Sequence, residues 1–285
     1  MFKRLMKLID VHAHLEHKRF KKDLDSVVKR FKKAGGKFII TSGVNKSTNR
    51  EILKISEKYD SVMLSFGIYP VDALALEMQK GEVSSKPEQG SGNIAGFVRD
   101  LEGFDVDAEL KWIEENKDKC VAIGECGLDY NWEEFQSGEA RKMQKEVFRK
   151  VLKLAKEIDK PVIIHSRKAE LDATEILEEE KMKKVVMHCF NGKKSLIKRG
   201  VENGWYFSVP PVIKRLEHFK MLVELVPLKQ LFTETDAPYL SPVAGERNEP
   251  ANVAVAIEEI AKIKGMNEKE VGEQIFENAE KLFNI

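Results

Sequence analysis

An α/β fold, and within that class a single (β/α)8 TIM-like barrel, is predicted by three observations. Eight short strand-like runs alternate with helix-like stretches from one end of the chain to the other, as in a barrel whose every strand is followed by a helix. The length of 285 residues fits one large α/β barrel, two ordinary domains being the alternative. The first strand is not followed by a GxGxxG turn, which counts against a doubly wound open sheet. No P-loop, heptad array or solenoid period interrupts the pattern, so the whole of 1–285 reads as one domain.

The bulk composition permits such a core and removes several function classes. Hydrophobic residues make up 42% and charged residues 33%, as in a globular protein with a large buried interior. The net charge of +1 gives no overall nucleic-acid footprint, so any basic surface must be local. Three cysteines, Cys120, Cys126 and Cys189, form no CxxC pair, which points to a reducing, cytoplasmic setting. The apolar part of MFKRLMKLID is broken at Lys7 and stops at Asp10, so it does not read as a secretory signal. No apolar run approaches a membrane span, and no stable protein partner or membrane association is expected.

Taken in order, the first strand, Leu8–His14, carries KLIDVHAHL. Alternation along a strand puts His12 and His14 on one face, where two imidazoles can grip one metal ion or serve as hydrogen-bonded core residues. A helix over 24–34, a strand over Phe38–Ser42, a helix over 47–59 and a strand over Val62–Gly67 follow. The third connection breaks the rhythm with a long polar segment, 71–105, that includes SSKPEQGSGNIAG. Loops of that length are uncommon; this one reads as a flap on the catalytic face or as a tolerated surface insertion. A helix over 107–118 leads to the strand Val121–Glu125. The helix over 139–158 is the clearest, with Met143, Val147, Val151, Leu154, Ala155 and Ile158 in a 3.6-residue stripe. The remaining strands are Val162–His165, Val185–His188, Tyr206–Val209 and Leu231–Thr235, separated by helices over 170–181, 193–203 and 214–226 and closed by helical sequence over 251–283.

In a barrel of this kind the active site lies at the C-terminal ends of the strands, and chemistry-bearing residues fall there repeatedly. Glu125 ends the fourth strand in VAIGECGLDY, His165 the fifth in PVIIHSR, His188 the sixth in KVVMHCFNG, and Asp236 follows the eighth in LFTETDAPYLSP. Each taken singly has an ordinary reading: a hydrogen-bonded core histidine, or, for Asp236, a turn residue before Ala-Pro. Together, six ionisable groups at five strand ends face one small volume, and burying them without a cation is costly. Four imidazoles and two carboxylates suffice for two divalent ions, with zinc, manganese, magnesium or nickel as candidates. Glu125 has two oxygens and is the natural bridge. His12, His14 and Asp236 are expected to hold one ion, and His165 and His188 the other. Such a pair lowers the pKa of a shared water to about 7, and the resulting hydroxide would attack with Asp236 taking its proton. Cys126 and Cys189, each next to a candidate ligand, are expected to pack outward under the helices, and His17 and His218 to be exposed rather than ligating.

The motifs DVHAHL at 10–15, GECGLDY at 124–130, HSR at 165–167, HCFNG at 188–192, ETDAPYLSP at 234–242 and RNEP at 247–250 resemble, as a set, the TatD-related metal-dependent deoxyribonucleases of the amidohydrolase superfamily. NEKEVGEQIFENAEKLF at 267–283 resembles that family's closing helix. The resemblance spans nearly the whole chain. It implies a barrel, two divalent ions on His12, His14, Glu125, His165, His188 and Asp236, and hydrolysis of phosphodiesters in DNA. The glutamate at 125 separates this chain from superfamily members that use a carboxylated lysine. Two departures bear on substrate choice: the family's GxHP after the third strand reads GIYP, with Tyr69 in place of histidine, and 71–105 looks inserted.

A DNA-cleaving barrel should carry cations on its βα loops. Lys18, Arg19, Lys21, Lys22, Arg167, Lys168, Lys193, Lys194, Lys214, Arg215 and Arg247 all follow strands, though in so lysine-rich a chain each reads equally as a solvated loop residue. Arg167, two residues past His165, is the best placed to fork onto a phosphate. Asn191 and Tyr239, with Ser208 a weaker candidate, are expected to orient the substrate. Tyr130 and Trp132 could stack on a base or pack over the rim. The predicted activity is metal-dependent phosphodiester hydrolysis on DNA, single-stranded or at 3′ ends. Amide, ester or lactone hydrolysis within the same superfamily, and a non-catalytic nucleic-acid-binding barrel, are the alternatives.

Overall fold

The computed structural model describes residues 6–76, 103–132 and 137–285. Eight parallel strands follow one another around a single sheet in chain order: β1 Leu8–Ala13, β2 Gly36–Ser42, β3 Val62–Ile68, β4 Ala122–Asp129, β5 Val162–Arg167, β6 Val185–Met187, β7 Tyr206–Val209 and β8 Leu231–Thr233. Helices α1 Leu24–Lys33, α2 Lys46–Lys58, α3 Val106–Glu115, α4 Gly138–Glu157, α5 Glu170–Glu179, α6 Lys194–Glu202 and α7 Glu217–Leu225 alternate with them. This is the predicted barrel. Its strands are short, β-branched and buried on both faces, as parallel strands covered by helices must be, and their side chains join one apolar cluster running from Leu8 to Phe283.

Local chemistry sets the helix ends. The Asn45 side chain accepts from Thr48 N while the Thr48 hydroxyl closes back on Asn45, a capping box that starts α2, and Ser137 caps α4 by accepting from Ala140 N. The helical sequence over 251–283 is two helices, α8 Val253–Lys264 and α9 Glu268–Phe283. Gly265 takes φ 64 and ends α8 in the left-handed conformation that glycine adopts without penalty, and the Asn267 side chain then caps α9. Both helices pack against the barrel near β1 and β8, covering the closure.

The barrel closes through side chains as much as through backbone. Among the described residues, β8 and β1 are joined by Asp236 N to His12 O (2.9 Å), by His14 N to Ala237 O (2.8 Å) and by the Thr233 hydroxyl donating to Ile9 O (2.7 Å). Asp10, fully buried, accepts from the backbone of Thr235 (2.9 Å), from its hydroxyl and from His12 N (3.2 Å). Burial pushes the Asp10 pKa well above the usual carboxylate value. The seam on either side of His12 is thereby stapled where two candidate ligands emerge. Most of the predicted insertion, residues 77–102, lies outside the described residues, so its reading as a flap stays an expectation. No described helix is long and apolar enough to cross a membrane.

Candidate metal centre

β1 ends inside the barrel mouth, and the period-2 alternation of the strand delivers His12 and His14 to the same side. Their Nε2 atoms stand 3.3 Å apart. Each is oriented from behind by the end of β2: the Ser42 hydroxyl lies 3.1 Å from His12 Nδ1, and the Ser42 carbonyl 3.1 Å from His14 Nδ1. Those contacts leave both Nε2 atoms facing the cavity.

β4 brings Glu125. Its pairing with β5 slips between Ile123 and Cys126, and such an irregularity re-aims a side chain. The approach of β4 to β5 is so close that a Cβ on Gly127 would stand 2.0 Å from the His165 carbonyl, so only glycine fits there. Glu125 then divides its two oxygens between two pairs of histidines. Oε2 lies 3.7 Å from His12 Nε2 and 3.4 Å from His14 Nε2; Oε1 lies 2.7 Å from His165 Nδ1 and 3.9 Å from His188 Nε2.

Asp236 follows β8 with φ 53, a left-handed conformation that short polar residues tolerate better than most. Its Oδ1 lies 3.6 Å from His12 Nε2 and 3.4 Å from His14 Nε2. The Asp236 side chain is 16% exposed against 5% for Glu125, so it forms the solvent side of the cup.

These donors suit divalent metal. Four ligand atoms at about 2.1 Å from a tetrahedral ion stand about 3.4 Å apart, and His12 and His14 Nε2 lie 3.3 Å from each other and 3.4 to 3.7 Å from Glu125 Oε2 and Asp236 Oδ1. Three overlapping trios, His12–His14–Glu125, His12–His188–Asp236 and Glu125–His165–His188, each place their ligand atoms within 4.8 Å of one another. The electrostatics agree. Burial alone would push every imidazole down, and it does so for His12. At His14 hydrogen bonds to Asp236 and Glu125 override burial and raise the pKa; at His165 Asp129 and Glu125 lift it to about 10; at His188 Glu234 raises it. Protons held so firmly occupy places where positive charge is demanded.

Three acidic residues not picked out by the motif reading complete the site. Glu234, fully buried, sits 2.6 Å from His188 Nδ1 and accepts from Cys189 N at 2.8 Å. Asp129, also buried, lies 3.0 Å from His165 Nε2. Asp10 braces His12 through the seam described above. Ring partners such as Glu234 and Asp129 fix the orientation of metal-binding histidines, whereas Asp10 holds the backbone of His12. A signal was present for Asp10, which stands two residues before His12 and hence on the same face of β1.

The remaining expectations divide. Tyr239 is half-buried beside the cup, its ring centroid 6.4 Å from that of His14 and 5.6 Å from that of His17. Arg167 ends β5, half-buried, and its charge offsets a little of the rise that burial imposes on the Cys189 thiol. Asn191 is exposed and donates to Cys189 O (3.0 Å), closing its own loop. Arg247 is a correction: its guanidinium grips Asp23 in a two-pronged pair at 2.6 and 2.7 Å and donates to Arg19 O, so it ties the first loop to the last. Tyr130 packs at the rim with its hydroxyl on Asp172 (2.7 Å), and Trp132 donates to Asp129 (3.2 Å). Cys126 is buried in the core, whereas Cys189 lies past the end of β6, partly buried. His17 and His218 are half-buried, and His218 contacts Phe190 O at 3.0 Å.

Comparison with known proteins identifies the family. The family described as TatD related DNase matches residues 9–284. Deoxyribonuclease TATDN3 of Homo sapiens is 35% identical over 277 residues, covering 97% of this chain and 94% of the human protein. YabD of Bacillus subtilis, described as an uncharacterized metal-dependent hydrolase, is 34% identical over 286 residues, covering 98% and 99%. Among solved structures, the TatD homologue YjjV from Escherichia coli shares the fold with a TM-score of 0.79 over 98% of both chains, at 24% identity. With a barrel of the same architecture, and a family match from the first strand to the last helix, the chain belongs to the TatD-related DNase family.

Proposed function

We propose that the protein is a metal-dependent hydrolase of DNA phosphodiester bonds, acting on single strands or 3′ ends with two divalent ions held by His12, His14, Glu125, His165, His188 and Asp236. One observation carries the two-ion reading: Glu125 turns one oxygen to His12 and His14 and the other to His165 and His188. The ions, when bound, supply Lewis acidity that makes a water nucleophilic near neutral pH and offsets charge on the phosphate. The protein's own groups do the rest. Asp236, the more exposed carboxylate, takes the proton of the attacking water. Glu125, nearly dry, holds the two halves at fixed separation. Arg167 forks onto a phosphate oxygen, and Tyr239 flanks the nucleotide beside His14. A reducing, cytoplasmic setting accords with Cys120, Cys126 and Cys189 all being unpaired.

The test is elemental analysis of purified protein together with cleavage of labelled single-stranded DNA before and after metal removal. Two ions per chain and metal-dependent cleavage are expected. Loaded protein that spares every nucleic acid but opens a lactone or cyclic amide would overturn the substrate assignment and leave the metal centre standing.

A further inference from the structure

Tyr69 stands where the resembled family carries histidine, and the structure gives its hydroxyl a defined task. The residue follows β3, its amide donating to Val44 O at 2.8 Å. The ring is 7% exposed, packed with Val44, Val71, Leu74 and Ala140, and Trp132 lies against the same cluster. From there the hydroxyl donates to Asp129 Oδ2 at 2.6 Å and stands 3.3 Å from His165 Nε2.

Asp129 is where several elements converge. Gln144 of α4 accepts from its amide (2.8 Å) and donates to its carbonyl (2.9 Å), fixing the backbone. Oδ1 accepts from Asn131 N at 2.8 Å. Oδ2 meets three groups: the Tyr69 hydroxyl, Trp132 Nε1 at 3.2 Å and His165 Nε2 at 3.0 Å. A carboxylate held this way has one orientation. Nε2 of His165 must carry hydrogen to donate to it, so Nδ1, 2.7 Å from Glu125 Oε1, is the atom offered to the second half of the cup.

We infer that Tyr69 is a positioning residue for the metal held by His165, His188 and Glu125: through Asp129 it fixes which nitrogen of His165 faces that metal. The inference rests on the two-ion reading. A phenol offers a single donor at the end of a long ring and no ring nitrogen for a metal. Exchanging imidazole for phenol here therefore adds an outer partner to His165 rather than another ligand.

The experiment is titration of metal-free protein with Mn2+, resolving both sites by calorimetry, for the natural chain and for Tyr69→Phe. The variant keeps the ring and loses only the donor. One of its two sites should bind Mn2+ about tenfold less tightly, the scale for losing an outer partner, with the other site unchanged. At limiting Mn2+ its kcat on DNA should fall and recover as Mn2+ is raised, with KM unaltered. Trp132→Phe, which removes the longer donor to the same oxygen, should show the same selective loss to a smaller degree and carries the test if Tyr69→Phe does not fold. Unchanged affinity at both sites, or equal weakening of both, would overturn the inference. Natural protein that binds fewer than two ions would instead overturn the two-ion reading itself.

Discussion

The two halves of the cup share Glu125 yet are built differently. On the side of His12, His14 and Asp236 the donor atoms stand 3.3 to 3.7 Å apart, the spacing of ligands around an ion. On the other side His165 Nδ1 closes to 2.7 Å on Glu125 Oε1, the spacing of a hydrogen bond. The groups behind the histidines differ as well. His12 and His14 lean on the hydroxyl and carbonyl of Ser42, whereas His165 and His188 lean on the carboxylates Asp129 and Glu234. A carboxylate makes an imidazole a better ligand but also a better proton acceptor. On the proposed two-ion reading, the first half is pre-spaced for an ion, and the second would exchange a proton for one.

The sharpest way to break this contrast is to empty one half. His12→Ala with His14→Ala removes both imidazoles of the first half, and the double variant should retain partial occupancy at the second. DNA cleavage should fall well beyond the roughly 100-fold that loss of an outer partner costs. Elemental analysis checks the occupancy, and full retention of two ions would sink the division. Next in size, Glu234→Gln removes the charge behind His188 while keeping a hydrogen-bonding shape. It should weaken the second ion by about 10- to 100-fold and leave the first in place, as a two-site Mn2+ titration would show. A cup whose halves are not independent would lose both together.

Metal removal measures how far each half contributes to the stability of the folded barrel. An ion present at 100 times its dissociation constant adds about 2.7 kcal/mol, which for a chain of this size is a shift in Tm of roughly 4 to 5 °C for each ion lost. Dialysis against a chelator should lower Tm by about that much in the natural chain and by less in the His12→Ala, His14→Ala double variant. Identical shifts in both would place the stabilising ion in the second half.

How much of this was legible in the chain depended on whether a residue's role follows from strand position alone. The barrel and its six converging groups follow from alternation within strands and from the C-terminal location of barrel sites. Asp129, Glu234 and Asp10 depend on which strand lies beside which, and a motif does not state its neighbours. The shape of the closing segment depended on Gly265 and Asn267, whose left-handed turn and cap divide helical sequence into two helices. Arg247 shows the opposite error. A basic residue in a loop invites a phosphate, but Asp23, more than two hundred residues earlier, already occupies its guanidinium.

That clamp yields the smallest expected effect and refines the comparison on the side of the first half. Arg247 with Asp23, and Arg30 with Glu249 at 2.6 to 3.1 Å, join α1 and the loop before it to the segment after Asp236. They brace the two loops that follow His14 and Asp236. The Asp23 side chain is 35% exposed, so the pair contributes at the scale of exposed ion pairs, under about 1 kcal/mol. Arg247→Ala should lower Tm by less than about 2 °C, and weaken the first ion less than Glu234→Gln weakens the second. Acid should act in the same direction. The hydrogen bond from Arg247 holds the Asp23 carboxyl below its ordinary pKa, so its contribution is complete above the unfolded value of about 3.9 and is lost as pH falls from there through the lower folded value. The difference in unfolding free energy between natural protein and Arg247→Ala should thus be constant from neutral pH to about 5 and shrink below 4. A difference that instead grew in acid would mean that Arg247 contributes through something other than its pair with ionised Asp23.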